Sequence, residues 1–306
     1  MVFNMSWNRH GNSETCKINF NEQKNISYIT FDGLKNTGIV EHFFTTRDGG
    51  VSNGCLSTLN LSYSRGDLPE NVDENFRRVS TIAGCKPEDI VCSAQTHTTN
   101  VRKVTSIDRG KGVTRNRDYD DIDGLITNEC GILLATFYAD CVPLFIVDES
   151  NHAIGLSHSG WKGTVAKMGK VTLDRMKTEY GTNPENVHVA IGPSICQSCY
   201  EVSEDVAEQF QKTFKFDYEK AKAYLLRYKK EVTEQDIQNC LLYKKENGKY
   251  QLNLWYANYR VFLDAGVPDK NIEITDICTC CNPDKLFSHR ASLGERGNLG
   301  AFMMLK

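Results

Sequence analysis

Between Ile132 and His158 the chain carries three apolar runs almost back to back, "ILLATFY", "VPLFIVD" and "AIGLSH", parted only by "ADC" and "ESNH". Runs of this length, rich in β-branched and aromatic residues, read as buried strands. Strands joined by such short turns favour mixed or antiparallel sheets over a strictly wound parallel one, because a parallel pair needs a long crossover between its members. From Ile39 onward similar runs recur in "IVEHFFTT", "DIVCSA", "VHVAIGP", "IEITDIC" and the terminal "AFMMLK", with helical segments between them. The expected fold class is α/β of the α+β type, a single layered domain with mixed sheets flanked by helices.

The clearest helical segment begins near Gly163, with Val165, Met168, Val171 and Met176 near one face and Gly181 as its stop. A second runs from Asn253 to Ala265, closed by Gly266, and a third from Val206 to Phe214 behind Ser203, where Glu204 and Asp205 sit at the positive end of the helix dipole. The Lys-, Glu- and Tyr-rich stretch from Asp217 to Gly248 reads as a surface excursion with solvated charges. Residues 1–36 are polar and irregular apart from "ISYITF" and read as an appended strand or flap, leaving residues 37–306 as one domain.

A formal net charge of -3 supplies no broad positive field, which disfavours nonspecific nucleic-acid binding and points to small-molecule chemistry. The start "MVFNMSWNRHGNSETCK" lacks a basic end followed by an apolar stretch, and the apolar run from Ile132 to Val147 is broken by Asp140 and Pro143 and too short to span a bilayer. A cytoplasmic location without membrane insertion is the expectation. Twelve cysteines in such a chain read as reduced thiols plus metal ligands rather than a disulfide framework. Those standing singly, Cys16, Cys55, Cys85, Cys92, Cys130 and Cys240, read as small buried hydrophobes.

Three segments carry soft or borderline ligands: His97 in "AQTHTTNV", Cys141 in "TFYADCVPLFIVD" and His158 in "AIGLSHSGWKG". Their separations are too long for a zinc finger, so they would have to converge from different strand ends. Two imidazoles and one thiolate leave a fourth tetrahedral position open, the arrangement of catalytic zinc. Taken one at a time, each is as readily an unrelated polar residue at a strand end. Asp140 interrupts an apolar strand next to Cys141 and needs a partner, which Arg47 or a histidine could supply. Asp140 or Asp123 could orient a metal-bound imidazole. Asp121 reads as an Asx turn. In "FFTTRDGGVSNG", Arg47 beside Gly49 and Gly50 could hold an oxyanion, or be a surface Arg on a hairpin turn, with Asn60 and Arg65 as weaker anion contacts. Trp161 could wall a planar ligand or fill the core. His289 and Arg290 form a polar pair suited to the edge of an active site. Cys196 and Cys199, with Cys278, Cys280 and Cys281, could share a structural zinc, since Cys-x-x-Cys fits half such a site, although the second group has an unusual order.

Taken in order, "HFFTTRDGGVSNG", "LNLSYSRGD", "AQTHTTNV", "DIDGLIT", "YADCVPLFIVD", "GLSHSGWKG", "AIGPSICQSCYEV", "LNLWYANYRVFLDAGV" and "CTCCNPDKLFSHR" resemble the YfiH-like family, also called laccase-domain or purine nucleoside phosphorylase proteins, from about Ile39 to the C-terminus. The resemblance implies that His97, Cys141 and His158 hold zinc, or copper, and that Arg47 lies at the phosphate side of the pocket. The partners it implies are purine nucleosides and phosphate: adenosine, inosine and S-methyl-5'-thioadenosine would yield free base and ribose 1-phosphate, with adenosine deamination alongside. Ser194 stands where a Cys usually follows the Gly-Pro, and "RASLGERGNLGAF" departs from the family's Gly-rich finish. An alternative is a hydrolase acting on an amide, such as a cell-wall peptide, with Cys141 as nucleophile and His158 as its base. The family's older label, copper polyphenol oxidase, sits poorly with seven histidines and no His-x-His pair. The zinc nucleobase deaminase pattern is missing, because Thr98 and Thr99 follow His97 where that pattern has His-x-Glu.

Overall fold

The computed structural model describes residues 6–11, 15–22 and 25–306. The first half of the chain supplies β1 (Cys16–Asn21), β2 (Ile26–Phe31), α1 (Asp32–Asn36), β3 (Val40–Thr45), α2 (Pro69–Ser80), β4 (Ile90–Cys92) and β5 (Val101–Lys103). There follow β6 (Gly124–Thr127), β7 (Leu133–Tyr138), β8 (Val142–Asp148), β9 (Ala153–Ser159), α3 (Trp161–Val165), α4 (Met168–Tyr180) and β10 (Val187–Ile191). The last third adds β11 (Glu201–Val202), α5 (Glu204–Thr213), α6 (Tyr218–Leu225), α7 (Glu234–Gln238), β12 (Leu242–Lys244), β13 (Tyr250–Leu252), α8 (Leu254–Asp264), β14 (Ile272–Ile274) and β15 (Leu299–Leu305).

Among the described residues these strands form two six-stranded sheets and a small one of β11, β13 and β12. The first sheet runs β1-β2-β3-β15-β7-β4 and is antiparallel except at β7–β4. The second runs β14-β10-β8-β9-β6-β5, antiparallel at its centre and parallel at both edges. Strand alternation turns these sheets into layers. In β8, Leu144 and Ile146 pack with Met168 and Met176 of α4 and Phe262 of α8, while Phe145 and Val147 face the other way and meet Phe44, Leu134 and Tyr138 of the first sheet. The outer face of that sheet, with Phe43, Leu133 and Phe302, is covered by Val72, Phe76 and Val79 of α2. The result is helix, sheet, sheet, helices: one layered domain of mixed sheets, as the short turns indicate. Phe145 is fully buried between the sheets, and truncating a side chain of that size costs about 3–5 kcal/mol.

The single helix expected from Gly163 is instead two, because Lys167 takes a left-handed backbone (φ 59°) that ends α3 and re-aims α4. Gly181, at φ 77°, closes α4 as its position suggests. Asn253 caps α8 by accepting the Tyr256 N–H. The charged excursion does form helices, and Lys220–Asp264 and Lys229–Asp236 pair at 2.7 and 2.6 Å, but Tyr224, Ile237 and Cys240 anchor it in the core. Within residues 1–36, β1 and β2 extend the first sheet beside β3. All twelve cysteines are free, and of the six read as buried Cys55 and Cys130 are exposed and Cys85 is half-buried, all three outside the sheets. No helix among the described residues is long and apolar enough to cross a membrane.

Candidate metal centre

The β8–β9 hairpin pairs Val142 with Ser159 and Pro143 with His158, so Cys141, one residue ahead of β8, lies beside the end of β9. His158 is buried there. His97 comes from the loop after β4 and holds a left-handed backbone at φ 67°. Asp123, immediately before β6, keeps it in place. Its fully buried carboxylate accepts the backbone N–H groups of Thr96, His97 and Thr98 at 3.0, 3.1 and 3.0 Å and the Thr98 hydroxyl at 3.1 Å. The same carboxylate lies 2.8 Å from Nδ1 of His158. Burial opposes a charge on Asp123, but the His158 imidazole and the N–H groups outweigh it and hold the carboxyl below the usual range.

With Nδ1 of His158 engaged, Nε2 is left to face a ligand, the pattern that fixes metal-bound imidazoles. Sγ of Cys141 is 3.8 Å from Nε2 of His97, and ligand atoms of His97, Cys141 and His158 all lie within 4.8 Å of one another. A tetrahedral ion with bonds of about 2.0–2.3 Å separates its ligand atoms by roughly 3.5 Å, so these three side chains fit a single ion with little adjustment. The close approach depends on Gly160: a Cβ there would stand 2.8 Å from Cδ2 of His97 and 3.1 Å from Sγ of Cys141.

Burial resists ionisation of Cys141, yet the neighbouring His158 and His97 outweigh it and bring the thiol down to about 6. Burial likewise resists a charged His158, and Cys141 with Asp123 overrides it, raising the imidazole to about 9. Each thus favours the charged form of the other, and a cation seated between them would compete with the His158 proton.

The cluster opens into a cavity of about 740 Å³, large enough for a nucleoside-sized molecule. Its walls include Tyr63, Phe76, Phe137 and Tyr138, and four arginines reach it: Arg65, Arg115, Arg117 and Arg296. Burial and the nearby charge of Arg65 press Arg296 down to about 10, and its Nε is buried without a hydrogen bond. An anion seated there would relieve both conditions.

The sequence candidates divide. His97, Cys141 and His158 come together, and of the two carboxylates weighed as orienting groups it is Asp123 that touches an imidazole. Asp140 accepts the Thr279 hydroxyl at 2.6 Å and the Arg290 backbone N–H at 2.7 Å, so it braces the turn ahead of Cys141 and meets neither Arg47 nor a histidine. Arg47 lies outside the large cavity, its Nε and Nη1 donating to the carbonyls of Ser57 and Pro283 at 2.7 Å and its plane over Phe287. Asn60 is fully buried and spends its amide on Ser62, Asp67 and the Asn298 N–H. Trp161 opens α3 and packs against the helical side of the core. Arg290 ties down the carbonyls of Cys199 and Glu201 at 3.0 Å, and His289 is exposed away from the cavity. Asp121 accepts the Thr96 hydroxyl at 2.7 Å and lines the cavity. Sequence reasoning missed Arg115, Arg117 and Arg296, which stand singly in polar loops with no spacing to mark them.

Comparison with known proteins adds a family. Residues 41–306 match the family model described as multi-copper polyphenol oxidoreductase laccase. A protein of Bacteroides thetaiotaomicron called purine nucleoside phosphorylase is 34% identical over 268 residues, covering 87% of this chain and 92% of its own length. One from an unknown prokaryotic organism, called adenosine deaminase, is 29% identical over 266 residues, covering 87% and 94%. The crystal structure of Bacillus licheniformis YfiH superposes with a TM-score of 0.79 at 28% identity, over 91% of this chain and 96% of that one.

Proposed function

The chain belongs to the multi-copper polyphenol oxidoreductase laccase family, and on that premise we propose that it is a metal-dependent purine nucleoside phosphorylase with adenosine deamination as a side activity. The observation that carries this reading is the meeting of His97, Cys141 and His158 within 4.8 Å at a cavity that four arginines also reach. The relatives called purine nucleoside phosphorylase and adenosine deaminase support it. Adenosine, inosine and S-methyl-5'-thioadenosine are the proposed substrates. Residues 37–306 are the proposed catalytic domain, with residues 1–36 as its extension.

Zinc is the proposed ion, held by His97, Cys141 and His158, and when bound it would supply a Lewis acid and acidify a water ligand. A multicopper oxidase needs several histidine-rich centres, whereas the candidate metal groups among the described residues are this one and a Cys-rich one. Arg296 and Arg65 take the phosphate in place of Arg47, which lies outside the cavity. In phosphorolysis a phosphate oxygen bonds to the anomeric carbon as the bond to the purine nitrogen breaks, and the base leaves with that electron pair and gains a proton. Positive charge develops on the sugar, and a phosphate fixed beside it by Arg296 and Arg65 offsets that charge. Asp123 holds His158 in one tautomer and His97 in one backbone conformation, so the site is ordered before substrate arrives. Tyr63, Phe76 and Phe137 give the purine face an apolar wall.

The test is phosphate-dependent release of adenine from adenosine by the purified protein and by Cys141→Ala. Release that requires phosphate and vanishes in the variant is expected, and full activity in the variant would overturn the assignment.

One observation favours a second reading: Cys141, His158 and Asp123 also make a nucleophile, its base and an orienting carboxylate. A cysteine hydrolase of that kind would cleave an amide in metal-stripped form and lose activity to iodoacetamide. The phosphorylase would be inactive on amides in either form.

A further inference from the structure

A second cluster of metal-binding character lies outside the cavity. One ring nitrogen of His10 and the Sγ atoms of Cys196, Cys278 and Cys281 all lie within 4.8 Å of one another. Cys196 and Cys281 stand 3.9 Å apart, close to the roughly 3.8 Å between sulfurs on a tetrahedral ion with bonds of about 2.3 Å. Cys278 and Cys281 form the Cys-x-x-Cys half of such a site. Cys196 arrives because β10 and β14 are parallel neighbours: the chain leaving each passes the other at the Ser194–Cys278 bridge, and the Cys196 N–H meets Sγ of Cys278 at 3.2 Å.

His10 is brought in by the N-terminal segment. Arg9 bridges Ile277, the His10 N–H bonds the Asp276 carbonyl at 2.7 Å, and the Arg9 guanidinium reaches the buried Asp276 carboxylate at 2.5 Å. The His10 ring rests edge-on against Trp255, 5.5 Å between centroids, and its Nε2 is buried without a hydrogen bond. Cysteines that merely fill a core need no imidazole at their meeting point.

We propose that His10, Cys196, Cys278 and Cys281 bind a second zinc ion, closed to substrate and structural. Three thiolates and one imidazole complete a tetrahedron with no open position, and soft sulfur donors select zinc over the hard cations. The ion ties the N-terminal segment to the turns after β10 and β14, and those turns carry the seat of Cys141. The Ile195 N–H bonds the Asp140 carbonyl at 3.0 Å and the Thr279 hydroxyl bonds its carboxylate at 2.6 Å. Asp140 holds a left-handed backbone at φ 88° directly ahead of Cys141. The structural ion therefore fixes the position of a ligand of the catalytic one.

The test uses the Cys141→Ala chain, in which the cavity site has lost its only thiolate. Loaded with cobalt, it is expected to hold one ion per chain with strong near-ultraviolet thiolate-to-metal charge transfer, and His10→Ala added to it should speed loss of that ion to a chelator. Wild-type protein should carry two zinc ions and Cys141→Ala one. A single zinc in wild type that survives in Cys141→Ala would still support this site while counting against the cavity centre. No charge transfer in the cobalt-loaded variant, or an intact mass lighter by two hydrogens from a disulfide among these cysteines, would overturn the proposal.

Discussion

The carboxylate of Asp123 joins the two imidazoles of the cavity: it lies 2.8 Å from Nδ1 of His158 and accepts the backbone N–H of His97 at 3.1 Å. Asp123→Asn keeps the shape but places an amide N–H₂ among the five donors that converge on the carboxylate. Loss of such an outer partner costs about 10–100-fold in metal affinity. Competition against a chromogenic chelator should show that drop, while Asp121→Asn, one hydroxyl contact away, should show far less.

Arg296 and Arg65 should govern phosphate. A hydrogen bond to a charged group contributes about 1.5–3 kcal/mol, so Arg296→Ala should raise KM for phosphate by about 10–100-fold with bound metal unchanged. Arg47→Ala should lower the melting temperature, because two backbone carbonyls lose their donor, and leave KM for phosphate nearly unchanged. Steady-state kinetics at varied phosphate distinguishes the two.

His42 gives the fold an acid sensitivity. Burial, aided by the charge of Lys35, lowers this imidazole to about 4, and its Nε2 accepts the Phe31 N–H at 2.9 Å. Above about pH 6.5 the ring is neutral in both folded and unfolded chains, so it adds no pH dependence. As pH falls from about 6.5 to about 4 the unfolded chain takes up the proton and the folded chain does not, so stability falls, by on the order of 3 kcal/mol in all. Below that both are protonated and the loss stops. Denaturant melts from pH 7 to 4.5 should fall more steeply for wild type than for His42→Gln.

Gly160 should tolerate no side chain. In Gly160→Ala the new Cβ would press on His97 and Cys141, and metal content and adenine release should fall together while the melting temperature moves little.

The fold was legible because its strands are long apolar runs with short gaps, a local signal. Cys141 and His158 were legible because a lone Cys or His at the end of such a run stands out, and His97 through the segment "AQTHTTNV" that the family resemblance includes. Asp140 was misread as a partner for a histidine: the sequence shows that a buried carboxylate needs donors, and only tertiary packing decides that Thr279 and Arg290 supply them. Arg47 sat beside a glycine turn and looked free, yet the carbonyls of Ser57 and Pro283 take its Nε and Nη1. Arg296 carried no signal, since Arg65, Arg115 and Arg117, which reach the same cavity, come from loops far away in sequence. The break at Lys167 and the approach of His10 to Cys278 are equally nonlocal, one set by how α4 must face the sheet, the other by a bridge across more than two hundred residues.

Anomalous scattering from crystals of the purified protein at the zinc edge tests the central claim most directly. A peak bonded to Nε2 of His97, Sγ of Cys141 and Nε2 of His158 at about 2.0–2.3 Å is predicted. Density that leaves these three side chains unbridged in protein grown with zinc, while adenine release persists, would contradict it.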